Sequence, residues 1–312
     1  MKSKIVIGLG GNALGNNPLE QYKAVAVAAI SIVDLIEKGN QIVVVHGNGP
    51  QVGMIALAFE KGQKVEAKIP QMPLSLAGAM SQGYIGLQLQ QAIKNELNKR
   101  KLQRNVTTII TQTQVDKNDP SFQNPTKPIG SFYSELEIKK IAKENNWHVG
   151  EDSGRGWRRL VPSPKPIDIY EKDIILELLE KNNIVIAGGG GGIPTLEDNG
   201  KLIDIDAVID KDFTAQKIAE LIGADVFMIL TAEDGIWKNF GKKDAIFLKE
   251  PSITYLEELV EAGEFPAGSM KPKVEALIKF IKSGKTNSKA CITSLKLAGK
   301  ALNGEAGSWV KK

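Results

Sequence analysis

The stretch NNIVIAGGGGGIP, residues 182–194, runs from a short apolar segment of strand type directly into five consecutive glycines. A turn needs one or two glycines, and each glycine loses more conformational freedom on folding than any other residue. Five in a row indicate that another group approaches this backbone so closely that Cβ atoms would be in the way. The pattern predicts a buried strand whose carboxyl end belongs to a site.

Two other apolar runs end in glycine turns of the same kind, KIVIGLGG at 4–11 and QIVVVHGNG at 41–49. The second turn is followed by Pro50, which suits the first turn of a helix because its missing N–H would have no partner there. Since parallel strands place their carboxyl ends on one edge of a sheet, the three turns would converge at that edge. Backbone N–H groups and helix N-termini gathered in this way suit an anion, above all a phosphate.

Amphipathic helical patterns alternate with these apolar runs. The helical patterns cover 19–38, 51–60, 76–100 and 271–283, and further strand-like runs cover 105–115 and 224–230. Short apolar runs separated by helices predict right-handed βαβ units and an α/β fold, with an open, mostly parallel sheet sandwiched by helices. Runs that are apolar throughout are typical of strands covered on both faces.

One region, about residues 116–166, interrupts this alternation with prolines, charges and aromatic residues. Prolines do not fit a central strand or the interior of a helix. Because a structureless loop of this length is uncommon in a compact domain, the composition predicts a small inserted subdomain or lid.

The composition is that of a globular protein and argues against several classes. Net charge is +4, with 40 basic and 36 acidic residues mixed along 312 positions, whereas nucleic-acid-binding proteins concentrate basic charge on one face. Two histidines are too few for a typical zinc site, and the single cysteine, Cys291, lies in an apolar run that predicts a buried thiol. Without a signal-peptide pattern or an apolar stretch of about 18 residues, we expect a cytoplasmic protein with neither nucleic acid nor membrane as a partner.

GLGGNA at 8–13 also matches the glycine pattern of dinucleotide-binding proteins, so an NAD-dependent enzyme is an alternative. That motif requires a carboxylate at the end of the second strand to hold the ribose, and residues 46–49 provide none. The sequence has no P-loop motif G-x-x-x-x-G-K-[ST]. If phosphate is bound, isolated lysines must supply the positive charge.

Three lysines are singled out by their surroundings. Lys127 lies in NPTKPIG, where prolines hold the backbone extended. Lys211 follows Asp210 at the opening of a helix, and Lys273 falls in the first turn of another, where the dipole disfavours a cation unless an anion binds beside it. Any one of them alone could be a solvated surface charge.

The stretch LTAEDGIWKNFGK at 230–242 follows a strand and offers polar and aromatic side chains for a nucleotide pocket. These side chains are Thr231, Asp234, Trp237 and Phe240. They could equally be core packing, and the sequence alone leaves both interpretations open.

Taken together, these motifs resemble those of the carbamate kinase family, which has the amino acid kinase fold. The resemblance spans nearly the whole chain and is carried by GLGGNAL, VHGNGPQVGM, TQTQVDKNDPSFQNPTKPIGSFY, GRGWRRLVPSPKP, GGGGGIP, AVIDKDFTAQKIA and GSMKPKVEALIKFI. The inserted segment separates the chain from acetylglutamate, uridylate and aspartate kinases, which share the fold without it. The resemblance implies one domain over 1–312, with a carbamoyl phosphate lobe over 1–205 and a nucleotide-binding lobe over 206–312.

The resemblance also implies the reaction ATP + carbamate ⇌ ADP + carbamoyl phosphate, with Mg²⁺ held mainly by the nucleotide phosphates. It implies a homodimer working toward ATP synthesis in fermentative arginine breakdown, the arginine deiminase pathway. Catalytic roles fall on Lys127, Lys211 and Lys273, and on Asp210. The role of Asp210 would be to hold the lysines in place by ion pairing. Substrate or phosphate contacts fall on Gly10, Gly11, Asn12, Gly47, Asn48, Gly49, Gly189 and Gly190. Nucleotide contacts fall on Lys211, Thr231, Asp234, Trp237, Met270 and Lys273.

Two positions depart from the family pattern: Ser131 follows KPIG where proline is usual, and Lys271 stands where glycine is common. Three alternatives remain, namely another small-acid or amino acid kinase of this fold, the NAD-dependent enzyme, and a non-catalytic nucleotide sensor. A sensor has no need of Lys127 in the insert. From the glycine run we also expect that replacing Gly189 or Gly190 by Val costs more activity than stability.

Overall fold

The computed structural model describes residues 3–10, 17–152 and 154–312. The strands in these ranges are β1 (Lys4–Leu9), β2 (Gln41–His46), β3 (Val106–Thr108), β4 (Gln112–Gln114), β5 (Lys127–Tyr133), β6 (His148–Glu151), β7 (Trp157–Val161), β8 (Asp168–Ile169), β9 (Ile184–Ile186), β10 (Ile193–Asp198), β11 (Lys201–Asp204), β12 (Val226–Thr231), β13 (Ile236–Lys238), β14 (Ile246–Leu248), β15 (Lys289–Ser294) and β16 (Ser308–Lys311). The helices are α1 (Pro18–Glu37), α2 (Gly49–Val65), α3 (Leu74–Lys99), α4 (Glu135–Asn145), α5 (Lys172–Glu180), α6 (Lys211–Leu221), α7 (Ile253–Glu261), α8 (Met270–Ser283) and α9 (Ala298–Leu302).

Seven strands form the central sheet, in the order β16-β15-β12-β1-β2-β9-β3. All neighbouring pairs are parallel except β15 with β16. The predicted open, mostly parallel sheet sandwiched by helices is therefore confirmed. The strand-like run at 105–115 divides between two sheets, because β3 joins the central sheet and β4 joins a second one, ordered β11-β10-β4-β8.

Both faces of the central sheet are covered, which explains why its strands are apolar throughout. Successive strand residues point to opposite faces. On β1, Ile5 and Ile7 belong to a core shared with α1 and α3, and Val6 belongs to a core shared with α6 and α8. Cys291 on β15 is 0% exposed, so the predicted buried thiol is confirmed, and burial raises the pKa of this thiol.

Three strands within residues 127–161 form a separate antiparallel sheet, in the order β5-β7-β6. Pro128 lies in β5 at the edge of this sheet, where a missing N–H is tolerated. Helix α4 covers the same sheet and begins with a capping box, in which Ser134 and Glu137 bond each other's backbone N–H. This sheet lies beside α2 and carries Lys127 toward the edge of the central sheet.

The carboxyl ends of the central strands β1, β2, β9 and β12 lie at one edge of the sheet. Helix α2 starts there immediately after β2, and α6 packs beside β1 and the glycine run with its N-terminus at the same edge. None of the helices in the described ranges is long and apolar enough to cross a membrane.

Candidate active site

A cleft of about 710 Å³ lies at this edge, between the β5-β7-β6 sheet and the N-termini of α2, α6 and α8. It brings together most of the residues singled out in the sequence, namely Gly10, Gly47, Asn48, Gly49, Lys127, Gly190, Asp210, Lys211, Thr231, Asp234 and Lys273. Three others lie away from the cleft lining, namely Gly189, Trp237 and Met270. Gly11 and Asn12 lie outside the described residues.

Three lysines and two aspartates form a charged cluster in the cleft. Asp212 is 2% exposed, and its two oxygens accept hydrogen bonds from Lys211 Nζ at 2.5 Å and Lys273 Nζ at 2.9 Å. Asp210 Oδ2 accepts from Lys127 Nζ at 2.8 Å. Lysines from the insert, from α6 and from α8 are thus held side by side. Within this cluster three cations face two anions, which leaves one positive charge in excess and suits a bound anion.

Asp210 also caps α6. Its Oδ1 accepts from the Asp212 N–H at 3.0 Å, which leaves Oδ2 for Lys127. Burial opposes ionisation of this carboxyl, but the charges of Lys127 and Lys211 outweigh burial and hold the pKa of Asp210 well below its ordinary value. Asp210 is therefore ionised at physiological pH.

The role expected for Asp210 is divided between two residues. Asp210 pairs with Lys127, whereas Asp212 bridges Lys211 and Lys273. Sequence reasoning missed Asp212, although the D-K-D spacing held the signal. An N-cap aspartate places the residue two positions later in the first helical turn, close to any ligand at that terminus.

The glycine run owes its composition to protein neighbours as well as to the cleft. Gly188, Gly190, Gly191 and Gly192 have positive φ angles of 63°, 65°, 96° and 80°. A Cβ on Gly190 would lie 2.1 Å from Asn48 Nδ2, and one on Gly191 would lie 2.1 Å from the carbonyl oxygen of Ile209. Of the five glycines, Gly190 lines the cleft. The interpretation that all five bare their backbone to a ligand is therefore corrected.

Threonine hydroxyls fix the conformation of the run. Thr113 and Thr214 both donate to the carbonyl oxygen of Gly191, at 2.9 and 2.8 Å. The Gly188 N–H donates to Thr111 Oγ1 at 2.8 Å. These hydrogen bonds stabilise a backbone whose positive φ angles depart from those of regular helices and strands.

The sequence predicted that a substitution at Gly189 costs more activity than stability. Close packing against protein neighbours reverses this expectation. A Cβ on this buried residue would lie 2.4 Å from His46 Nε2, so even Gly189→Ala should destabilise the fold by about 1–3 kcal/mol through overpacking. Gly83→Ala on α3 is the matched control, because nothing lies within 4 Å of its Cβ position. Thermal unfolding should show a lower Tm for Gly189→Ala only; equal Tm values for the two variants would refute the packing argument.

Of the predicted nucleotide-pocket residues, the polar side chains lie in the cleft lining and the apolar ones lie outside it. Thr231 and Asp234 line the cleft. Trp237 on β13 packs against Phe247, with ring centroids 5.1 Å apart, and lies outside the cleft lining, so its contact with the nucleotide stays a prediction. Met270 begins α8 and is partly buried against the core shared with α6, and Phe240 is largely exposed.

Two further cations line the cleft, Arg158 and Lys296. Arg158 on β7 donates through Nη1 to Asp152 at 2.9 Å and through Nε to the Gly130 carbonyl at 3.2 Å. Lys296 is exposed and follows β15. Arg158 lies in the stretch GRGWRRLVPSPKP that carries the family resemblance, but sequence reasoning assigned no role to it or to Lys296.

Comparison with known proteins defines the family. The amino acid kinase family matches residues 3–294. A carbamate kinase of Pyrococcus horikoshii is 48% identical over 315 residues, and a carbamate kinase-like protein of Escherichia coli is 47% identical over 308 residues, each covering 99% of both chains. The structure of a carbamate kinase from Giardia lamblia bound to AMP-PNP superposes with a TM-score of 0.92 at 41% identity, covering 100% of this chain and 99% of that one.

The chain therefore belongs to the amino acid kinase family, and within that family of enzymes to the carbamate kinases. The expected family, fold class and enzyme class are confirmed.

Proposed function

We propose that this protein transfers a phosphoryl group reversibly between ATP and carbamate, giving ADP and carbamoyl phosphate. The observation that carries the proposal is the cluster of Lys127, Lys211 and Lys273 around two aspartates, in a cleft onto which α2 opens. Its excess positive charge suits a phosphoryl group in transit between two anions. The names of the full-length relatives, one of them bound to AMP-PNP, support the same substrates.

Carbamate carries its own negative charge, so its oxygen can attack phosphorus without a general base. Catalysis then consists of alignment and charge neutralisation around a loose, metaphosphate-like transition state. Lys211 and Lys273 would contact the nucleotide phosphates and the transferring group. Lys127 would close on the carbamoyl side with the insert and help to exclude water.

The aspartates allow the lysines to act without rearrangement. Each ammonium group has three N–H donors, and in each of these lysines the pair with Asp210 or Asp212 uses one donor direction. The remaining N–H groups can bind phosphate oxygens while the carboxylates keep the ammonium groups in place. Such preorganised donors stabilise developing charge without a cost of reorientation.

Mg²⁺ would enter as the complex with the nucleotide, where it neutralises phosphate charge. Among the described residues, no group of three or more His, Cys, Asp or Glu side chains could hold a metal ion. Asp210 and Asp212 already accept from lysines, so the phosphate oxygens would be the main ligands of the ion.

Acceptor competition tests the proposal against other kinases of this fold. The turn at 47–49, Val52 and Ile129 line the part of the cleft that we assign to the acceptor. We expect kcat/KM for carbamate to exceed those for acetate and N-acetylglutamate. A preference for either of the other acids would assign a different reaction, and nucleotide binding without transfer would assign a sensor.

We also propose that the protein forms a homodimer through α1 and α3. Along α3, Leu76, Met80 and Leu87 recur on one face and are 47%, 41% and 53% exposed, and exposed apolar residues of α1 lie on the neighbouring helix. Leu76→Asp with Leu87→Asp should halve the mass measured by light scattering. Leu136→Asp on α4, where the side chain is 87% exposed, should leave that mass unchanged. A dimer that survives the double substitution would contradict this interface.

We propose further that the enzyme works in the cytoplasm toward ATP synthesis, in arginine breakdown by the arginine deiminase pathway. This proposal is supported by the resemblance to carbamate kinases. Steady-state rates measured in both directions test the direction, and a strong preference for making carbamoyl phosphate would contradict it.

A further inference from the structure

His46 is a buried titratable residue behind the cleft that the mechanism above does not use. It ends β2 and is 1% exposed. Its ring lies against the glycine run, since Nε2 and Cε1 are 2.4 and 2.5 Å from the position that a Cβ on Gly189 would occupy. The imidazole therefore lies between two of the strand-end turns that form the site.

The hydrogen bond of His46 fixes one peptide of the cleft wall. Nδ1 lies 2.9 Å from the carbonyl oxygen of Gly47, and because a carbonyl only accepts, Nδ1 carries the proton. In a trans peptide the C=O and the following N–H point in opposite directions. With the Gly47 carbonyl held toward the buried ring, the Asn48 N–H points away from the ring, and residues 47–49 line the cleft.

The surroundings keep this imidazole uncharged. Burial lowers the pKa of His46 to about 4, the hydrogen bond to Gly47 opposes this shift, and the charge of Lys211 on α6 adds to it. Gln82 on α3, which also adjoins Gly189, is uncharged. An imidazolium here would add another positive charge near Lys211, which already shares the single negative charge of Asp212 with Lys273.

We propose that His46 is a positioning residue, whose Nδ1–H holds the Gly47 carbonyl and thereby aims the Asn48 N–H at the transferring phosphoryl group or its acceptor. This inference rests on the proposed phosphoryl transfer. The Asn48 donor adjoins the N-terminus of α2, where the helix dipole already favours an anion. His46 contributes by keeping this donor oriented before the substrate arrives.

Three substitutions distinguish a role of His46 in positioning the Gly47–Asn48 peptide from a role in filling buried space. His46→Asn places an amide N–H near the position of Nδ1, His46→Gln places one near Nε2, and His46→Leu provides only apolar volume. If His46 merely fills space, the Leu variant should be the best tolerated, because it buries no polar group. If it positions the peptide, the Asn variant should be the best tolerated. Should the Leu variant fail to fold, the comparison of Asn with Gln remains decisive.

The experiment combines kinetics with crystal structures of the three variants. We expect the KM for carbamoyl phosphate to rise about 10-fold in the Leu and Gln variants and to stay within about 3-fold in the Asn variant, with smaller changes in kcat. The Gly47–Asn48 peptide should be rotated in the first two structures and unchanged in the third.

An unrotated peptide and an unchanged KM in both the Leu and Gln variants would overturn the role of His46. Equal losses in all three variants would also overturn it, since they indicate packing. If the wild type makes no ATP, the proposed function fails, and the peptide orientation in the crystals still decides whether His46 positions it.

Discussion

Replacing Lys211 by Ala is expected to lower kcat by about 10²–10³-fold, the scale for removing one preorganised electrostatic group from an active site. Lys211 is 12% exposed and held by Asp212 at 2.5 Å, so its ammonium group is fixed before substrate binds. The transition state spreads charge over the phosphoryl oxygens, and Lys273 alone would have to compensate that charge on the nucleotide side. The KM for ADP should change less than kcat, because binding also uses the rest of the cleft.

Lys217→Ala is the matched control for this variant. Lys217 lies on the same helix, its side chain is also 12% exposed, and it pairs with Glu220 at 3.0 Å, away from the cleft lining. Steady-state kinetics should show a large loss for Lys211→Ala and a near-normal kcat for Lys217→Ala. An unchanged kcat in Lys211→Ala would remove that lysine from the mechanism.

Asp212→Asn should have the largest effect on stability among the cleft residues. The carboxylate is 2% exposed and pairs with two ammonium groups, so removing its charge leaves Lys211 and Lys273 without their shared counter-ion in a buried setting. Breaking a buried ion pair by removing one partner costs about 3–5 kcal/mol. We expect a corresponding drop in the free energy of unfolding in denaturant, together with a loss of kcat because the lysines are no longer held.

Glu250→Gln provides the control, because Glu250 pairs with Lys311 on the surface with both side chains at least half exposed, and such pairs contribute about 0–1 kcal/mol. Inorganic phosphate gives a second measurement. It should raise the Tm of Asp212→Asn more than that of the wild type, since an anion can replace the missing charge. Equal stabilities of Asp212→Asn and the wild type would show that Asp212 does not bridge the lysines.

The pattern of apolar runs and helical segments was sufficient to predict the central sheet. The apolar runs at β1, β2 and β12 predicted parallel strands buried on both faces, and the structure places them together with helices on either side. Local pattern determines such elements because burial on two faces leaves no position for a polar residue. The division of 105–115 between two sheets could not be predicted, since strand pairing depends on distant residues.

Local sequence pattern also indicated part of the candidate site. Lysines framed by prolines or helix starts were visible in the sequence, and Lys127, Lys211 and Lys273 meet in the cleft. The pairs Lys127–Asp210 and Lys273–Asp212 join residues 83 and 61 positions apart in the chain, so local sequence could not assign them. The reason for glycine at Gly189 was hidden as well, because the atom that excludes its side chain belongs to His46, on another strand.

Formation of ATP from ADP, carbamoyl phosphate and Mg²⁺ tests the central claim most directly. We expect ATP from the wild type and from Lys217→Ala, and at least about 100-fold less from Lys211→Ala. Faster ATP formation from acetyl phosphate than from carbamoyl phosphate would assign a different phosphoryl donor. No ATP from a folded wild-type protein that still binds nucleotide would contradict the account.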